Sequence, residues 1–204
     1  MISIFIGLCL VMLDIELKFN GFFAFDLFPD FIGYIILLRG LSQLSRESEK
    51  INRMRPFAAF LAVYAIVEYA LKASGLVYTV RGLLSSGLMI AGIGLSMMVV
   101  FNIIEGLHEI EVDRKVDLKS KLLHKVFIPW VISSVIVVIF SFAAPDDTPS
   151  IAGDVSSVAT WILLPSVLLF LAVFFIAVRN YRALPPKEEP APAEQKRKRP
   201  WEES

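Results

Sequence analysis

Three stretches, residues 83–104, 126–144 and 155–178, run for 22, 19 and 24 positions without a single charged side chain. At about 1.5 Å per residue, a helix of that length crosses a hydrocarbon core of roughly 30 Å. Backbone N–H and C=O groups in lipid have no water to bond. A helix closes its hydrogen bonds internally, so it is the form open to such runs. Composition agrees: 56% of the 204 residues are hydrophobic, where a soluble domain carries about 45–50%. Mean hydropathy is +0.66. Nearly all charges fall between the apolar blocks, as expected of a chain whose solvent is lipid.

A fourth span is expected at about 56–75. It starts on Pro56, a good first helical residue, and contains Glu68 and Lys72. The first 45 residues hold two shorter apolar stretches, read as spans at about 1–17 and 29–44. The second starts near Pro29, and Arg39 snorkels to the interface. A re-entrant hairpin over residues 1–40 is the competing picture. The expected fold is therefore all-α, a polytopic transmembrane bundle of about six spans (1–17, 29–44, 56–75, 83–104, 126–144 and 155–178). Met1 to Leu13 carries no Lys or Arg, so a cleaved leader is not expected.

Basic residues set the orientation. Seventeen Lys and Arg lie in segments 39–56, 105–125 and the C-terminal tail, and three (Lys18, Lys72, Arg81) lie in the alternate connections. The positive-inside rule then places both termini in the cytoplasm. The opposite face is acidic, with Asp14, Glu16, Asp26, Asp30, Asp146, Asp147 and Asp154. It raises local cation concentration modestly, although a solubilising loop surface explains it as well. Residues 108–127 mix charges with Val112, Val116, Leu123 and Val126 on one helical face. A basic amphipathic helix on the inner leaflet and a plain solvated linker helix both fit. The tail, 183–204, is rich in proline and charge and is expected to be disordered.

Ionisable residues within spans are the default functional candidates in a membrane protein. Asp26, Asp30, Arg39, Glu68 and Lys72 are the candidate polar or ion-binding residues. Glu68 and Lys72 are four residues apart on one face and can neutralise each other. Alternatively, Glu68 faces a cavity as a proton- or cation-binding carboxylate. Asp30 at a helix start suits the helix dipole; a functional role requires it to face a cavity. Gly33 and Gly40, with Gly82, Ser86, Gly92 and Ser96, form notches where another helix can approach closely. Pro165 should kink the last span and free the Trp161 carbonyl. Catalytic signatures are not found: His108-Glu109 has no second histidine four residues on, and there is no phosphate-cradling loop, nucleophile elbow or metal-ligand cluster. No cofactor is expected. A formal net charge of zero gives no basic surface for nucleic acid.

The run Asp26-Leu27-Phe28-Pro29-Asp30-Phe31-Ile32-Gly33-Tyr34, followed by Gly40-Leu41, resembles small multi-pass membrane proteins of Gram-positive bacteria. Those carry a Leu-Pro-Asp-Phe-Ile-Gly-Tyr-like stretch near the N-terminus; Phe28 stands here where Leu is usual. The resemblance covers about 20 residues and implies a bacterial cytoplasmic-membrane location and no particular activity. Beyond the lipid bilayer, a membrane-protein partner or a homo-oligomer is the partner expected. The leading functional expectation is a non-catalytic membrane protein that binds or regulates such a partner. The alternative is a small cation or solute transporter or channel using Glu68 and Asp30.

Overall fold

The computed structural model describes residues 1–13, 16–19, 23–26, 29–74, 83–143 and 151–184. Six helices follow one another: α1 (Ile2–Met12), α2 (Asp30–Leu44), α3 (Glu49–Ala73), α4 (Leu83–Arg114), α5 (Ser120–Ala143) and α6 (Ile151–Arg182). Each packs on its neighbour in sequence, and α6 returns to α1, so the six close into a ring. Between α1 and α2 lies a two-stranded antiparallel hairpin, β1 (Glu16–Phe19) and β2 (Phe23–Asp26), with Glu16 opposite Asp26 and Phe19 opposite Phe23. β2 packs against α3.

Four of the helices contain segments long and apolar enough to cross a membrane: Glu49–Leu71, Ile90–Arg114, Ser120–Ile139 and Trp161–Arg182. Their outer faces are apolar as well. Phe60, Val63, Val67, Ile132, Leu164 and Leu169 all point outward, and Trp161 is 79% exposed. An apolar girdle of that extent would be a liability in water and is the ordinary surface of a protein in lipid.

The helices outrun the apolar blocks that announce them. α3 starts at Glu49, not at Pro56, which lies inside it. Ser48 makes the earlier start: its Oγ accepts the Ile51 N–H at 3.4 Å, as an N-cap does, and donates to Glu109 Oε2 at 2.5 Å. α4 continues to Arg114 and α5 begins at Ser120, so residues 108–127 are not a separate surface helix. They are the end of one helix, a short link and the start of the next. The link is specific. Lys115 takes a left-handed conformation (φ 53°), and the Val116 N–H bonds the Glu111 carbonyl at 3.1 Å, which closes α4 with a Schellman turn. Asp117 Oδ1 accepts the Lys119 N–H at 2.9 Å, and Lys119 Nζ lies 2.6 Å from Oδ2. These contacts hold the Asp117 carboxyl below its usual range.

α1 and α2 are short, 11 and 15 residues, or about 16 and 22 Å. The expected 1–17 span stops at Met12, and Glu16–Phe19 pairs with Phe23–Asp26 as strands instead. The two helices run antiparallel at backbone contact. A Cβ on Gly7 would sit 2.7 Å from the Gly33 carbonyl oxygen, and one on Gly40 would sit 2.7 Å from the Ile4 nitrogen. Gly33 and Gly40 thus lie against α1. Helices in lipid gain little from apolar burial, so such close packing is what holds them together.

One end of the ring is clamped by polar contacts that radiate from the last three turns of α4. Glu105 takes Lys50 of α3 at 2.7 Å and His124 Nε2 of α5 at 2.9 Å. Arg114 pairs with Glu47, in the link between α2 and α3, at 2.8 Å. The other Glu47 oxygen accepts the Tyr181 hydroxyl of α6 at 2.7 Å. Glu111 Oε2 accepts the Ser120 N–H at 3.0 Å, and Ser120 Oγ meets His108 Nδ1 at 2.9 Å. Arg114 and Glu47 are only 14% and 18% exposed, so removing one strands the charge of the other. Arg114→Ala is expected to cost about 3 kcal/mol. Arg114→Met with Glu47→Gln should recover most of that loss in thermal unfolding of the purified protein. Lys115→Gly is expected to stabilise by about 1 kcal/mol, since glycine carries no left-handed penalty; the same unfolding measurement checks it.

Candidate functional site

α3 carries Leu61, Tyr64, Ala65 and Glu68 at the spacing of one helical face. In the ring this face turns inward. Matching inward faces come from Leu8, Val11 and Met12 of α1, Asp30, Tyr34 and Leu37 of α2, Gly92, Ser96 and Val100 of α4, Trp130, Ser134 and Val138 of α5, and Leu163 and Val167 of α6. Together they line a central, partly open cavity of about 590 Å³ to which all six helices contribute. Asp30 is the first residue of α2, and Glu68 lies near the far end of α3. Both acids therefore stand toward the end of the ring opposite the clamp.

The wall is mostly apolar, with a few placed polar groups. Tyr34 is buried and donates its hydroxyl to Ser96 Oγ at 3.1 Å, tying α2 to α4. Asp30, Glu68 and Tyr64 are near enough to that hydroxyl to act on it electrostatically. Gly92 makes room for Tyr64: a Cβ there would meet the ring at 2.9 Å. Phe31 and Tyr69 meet edge to face at 5.5 Å, which sets the start of α2 level with the last third of α3.

Between the cavity and the clamp lies an aromatic floor. Trp130, which lines the cavity, stacks on Phe170 at 6.0 Å and meets Phe127 at 5.3 Å. Phe170 continues to Phe174 at 6.0 Å, and Phe174 reaches Phe5 of α1 at 6.4 Å, across the seam that closes the ring. Phe101 joins Phe127 to His124 of the clamp. Phe170 and Phe174 are fully buried.

The residues singled out in the sequence are distributed as follows. Asp30, Glu68, Gly92 and Ser96 meet at the cavity. Arg39 is exposed on the outside of α2, away from it. Gly33 and Gly40 serve the α1–α2 contact. Asp26 ends β2, Lys72 lies one turn beyond Glu68 in α3 and Ser86 lies in α4; their side chains are outside the described part, as are Gly82 and residues 185–204. Among the described residues no group of three or more His, Cys, Asp or Glu side chains could hold a metal. α6 runs unbroken through Pro165. Tyr64, Trp130 and Ser134 are cavity residues that the sequence analysis passed over. The Tyr64–Glu68 spacing of four was a signal for the first. For Trp130 and Ser134 the signal was weaker, a Trp and a Ser one turn apart in an uncharged run.

Phe170→Ala is expected to cost about 3 kcal/mol through the cavity it opens in the floor. Trp161→Ala, on the lipid face of the same helix, should stay within about 0.5 kcal/mol. Thermal unfolding of both variants in one detergent makes the comparison.

Compared with protein families, with curated proteins and with solved structures, the chain finds no match.

Proposed function

We propose that this chain is a six-pass protein of the bacterial cytoplasmic membrane that takes a small solute into its central cavity from the outer side, with Asp30 and Glu68 holding it. One observation carries the proposal: a cavity lined by all six helices has two carboxylates on its wall. Ionisable side chains are costly in lipid and mark solute or ion pathways. The clamped, aromatic-floored end and the cavity at the other end fit one state of a carrier whose inner side is shut. The basic residues support the orientation, since the clamped end carries Arg46, Lys50, Arg53, Arg114, Lys121 and Arg182 and belongs in the cytoplasm by the positive-inside rule. The level of Phe31 against Tyr69 supports two crossings by α1 and α2, because α2 then starts near the outer surface.

A second possibility is the non-catalytic protein that binds a membrane partner or another copy. It draws on an apolar groove of about 540 Å³ on the outer face of α5 and α6, lined by Ile128, Pro129, Ile132, Ile136, Val158 and Ile162. Lipid chains fill such a groove equally well, so the cavity is the stronger ground.

Two experiments test the proposal. In a Cys9→Ser background, single cysteines at Arg46 and Asp147 are exposed to a membrane-impermeant maleimide. Labelling of 147 in intact cells, and of 46 only after permeabilisation, is expected; the reverse pattern overturns the orientation. Solute uptake is then compared between cells expressing the unaltered chain and cells expressing Asp30→Asn or Glu68→Gln. Loss of uptake in both variants, with unchanged membrane abundance, is expected. Uptake unaffected by either change would remove the carboxylates from the function.

A further inference from the structure

We infer that the lipid-facing side of α5 holds one anionic phospholipid, with its phosphate at Lys121 and Lys125 and an acyl chain in the groove between α5 and α6. This rests on α5 crossing the membrane and not on what the central cavity takes up. Two recesses follow one another along the helix. The first, about 280 Å³, is polar and is lined by Glu111, Asp117, Lys119, Lys121, Leu122 and Lys125. The second, about 540 Å³, is the apolar groove, with Ile128, Ile132 and Ile136 on one wall and Val158, Ala159 and Ile162 on the other.

Spacing joins the two. Lys121, Lys125, Ile128, Ile132 and Ile136 are three or four residues apart, so they share one face of α5. From Lys125 to Ile136 the helix rises ~16 Å, about the depth of one leaflet of a roughly 30 Å core. An amphiphile anchored at the lysines therefore has its hydrocarbon alongside the groove through that leaflet. Ile128 and Ile132 are more than half exposed, so the groove opens toward lipid.

Charge selects the head. Lys121 and Lys125 are exposed, and long stems let their ammonium groups reach the interface. The carboxylates that line the same recess are engaged within the α4–α5 link: Asp117 lies 2.6 Å from Lys119, and Glu111 accepts the Ser120 N–H at 3.0 Å. A lipid phosphate meets both lysines, as headgroups do in basic pockets between spanning helices. A zwitterionic lipid brings its own cation to the same place and is held less well. A helix of a protein partner would fill the groove and leave the lysines unused. An anionic phospholipid satisfies the basic recess and the apolar groove in one molecule.

The test uses the full-length protein in nanodiscs. Trp130→Phe, Trp161→Phe and Trp201→Phe remove the native tryptophans, and either Ile132→Trp or Phe60→Trp supplies the sole reporter. Phe60 stands exposed on α3, away from the groove. Mixtures of phosphatidylglycerol and phosphatidylcholine are used with one lipid or the other brominated, and quenching gives their relative affinity at each reporter. At position 132 phosphatidylglycerol is expected to be favoured by at least about fivefold, and at position 60 the two lipids should be equal. Lys121→Gln with Lys125→Gln should abolish the preference at 132. Because positions 132 and 60 are compared with both lysines in place, the result stands even if that double variant does not fold. Equal affinity of the two lipids at 132 would overturn the inference. The same preference at both positions would also overturn it, by making the attraction a property of the whole surface. Weak quenching at 132 by either lipid, with normal quenching at 60, would overturn it in favour of a protein partner or a second copy in the groove.

Discussion

The end of α4 is the point on which the rest of the structure depends. Apolar helices in a bilayer gain nothing by exchanging lipid for one another, so polar contacts and close backbone approach decide their arrangement. In this chain the polar contacts are concentrated. Glu105, Glu109, Glu111 and Arg114 project from three successive turns of one helix and reach α3, the α2–α3 link and the start of α5. Through Glu47 the same network takes in Tyr181 of α6. A single helix extension thus gathers α3, α5, α6 and the link that follows α2 at one end, and Phe5 on Phe174 brings in α1.

Clamping one end leaves the other free to differ. The glycine contacts of α1 and α2 hold that pair at backbone distance, and the aromatic stack from Trp130 to Phe5 seals the ring above the clamp. Beyond the stack Gly92, Ser96 and Ser134 stand among larger side chains, and the helices do not fill the centre. The cavity's acids come from the ends of α2 and α3, where a carboxylate costs least to place in a membrane.

Part of this site was legible in the chain alone. Asp30 and Glu68 stood out because charges inside apolar runs are rare. Their convergence did not, since they are 38 positions apart and belong to different helices. Tyr64 shares a helical face with Glu68, and that spacing was visible. Trp130 and Ser134 had no comparable signal, because an uncharged run does not tell which of its faces turns inward. Arg39 drew attention for the same reason as the acids and lies outside, where a long side chain reaches the interface. The hairpin of Glu16–Phe19 with Phe23–Asp26 departs from the expected first span. Its segments Glu-Leu-Lys-Phe and Phe-Ala-Phe-Asp are rich in strand-forming aromatics, and Asn20-Gly21 between them is a favoured turn pair.

Sequence by itself determined that this protein belongs in a membrane as a helical chain, because hydrocarbon sorts residues by polarity and a lone backbone there must bond to itself. It located four of the long helices to within a few turns. It did not determine where they end, because hydropathy measures only the part of a helix that lies in lipid. Glu49 to Arg55 and Glu105 to Arg114 are helical with Lys50, Glu105, Glu109 and Arg114 meeting partners on other elements. Which faces turn inward, the closure of the ring between α6 and α1, and the meeting of Asp30 with Glu68 on one wall were decided only by tertiary packing. Each depends on side chains far apart in the chain fitting at one place, and no local pattern carries that information.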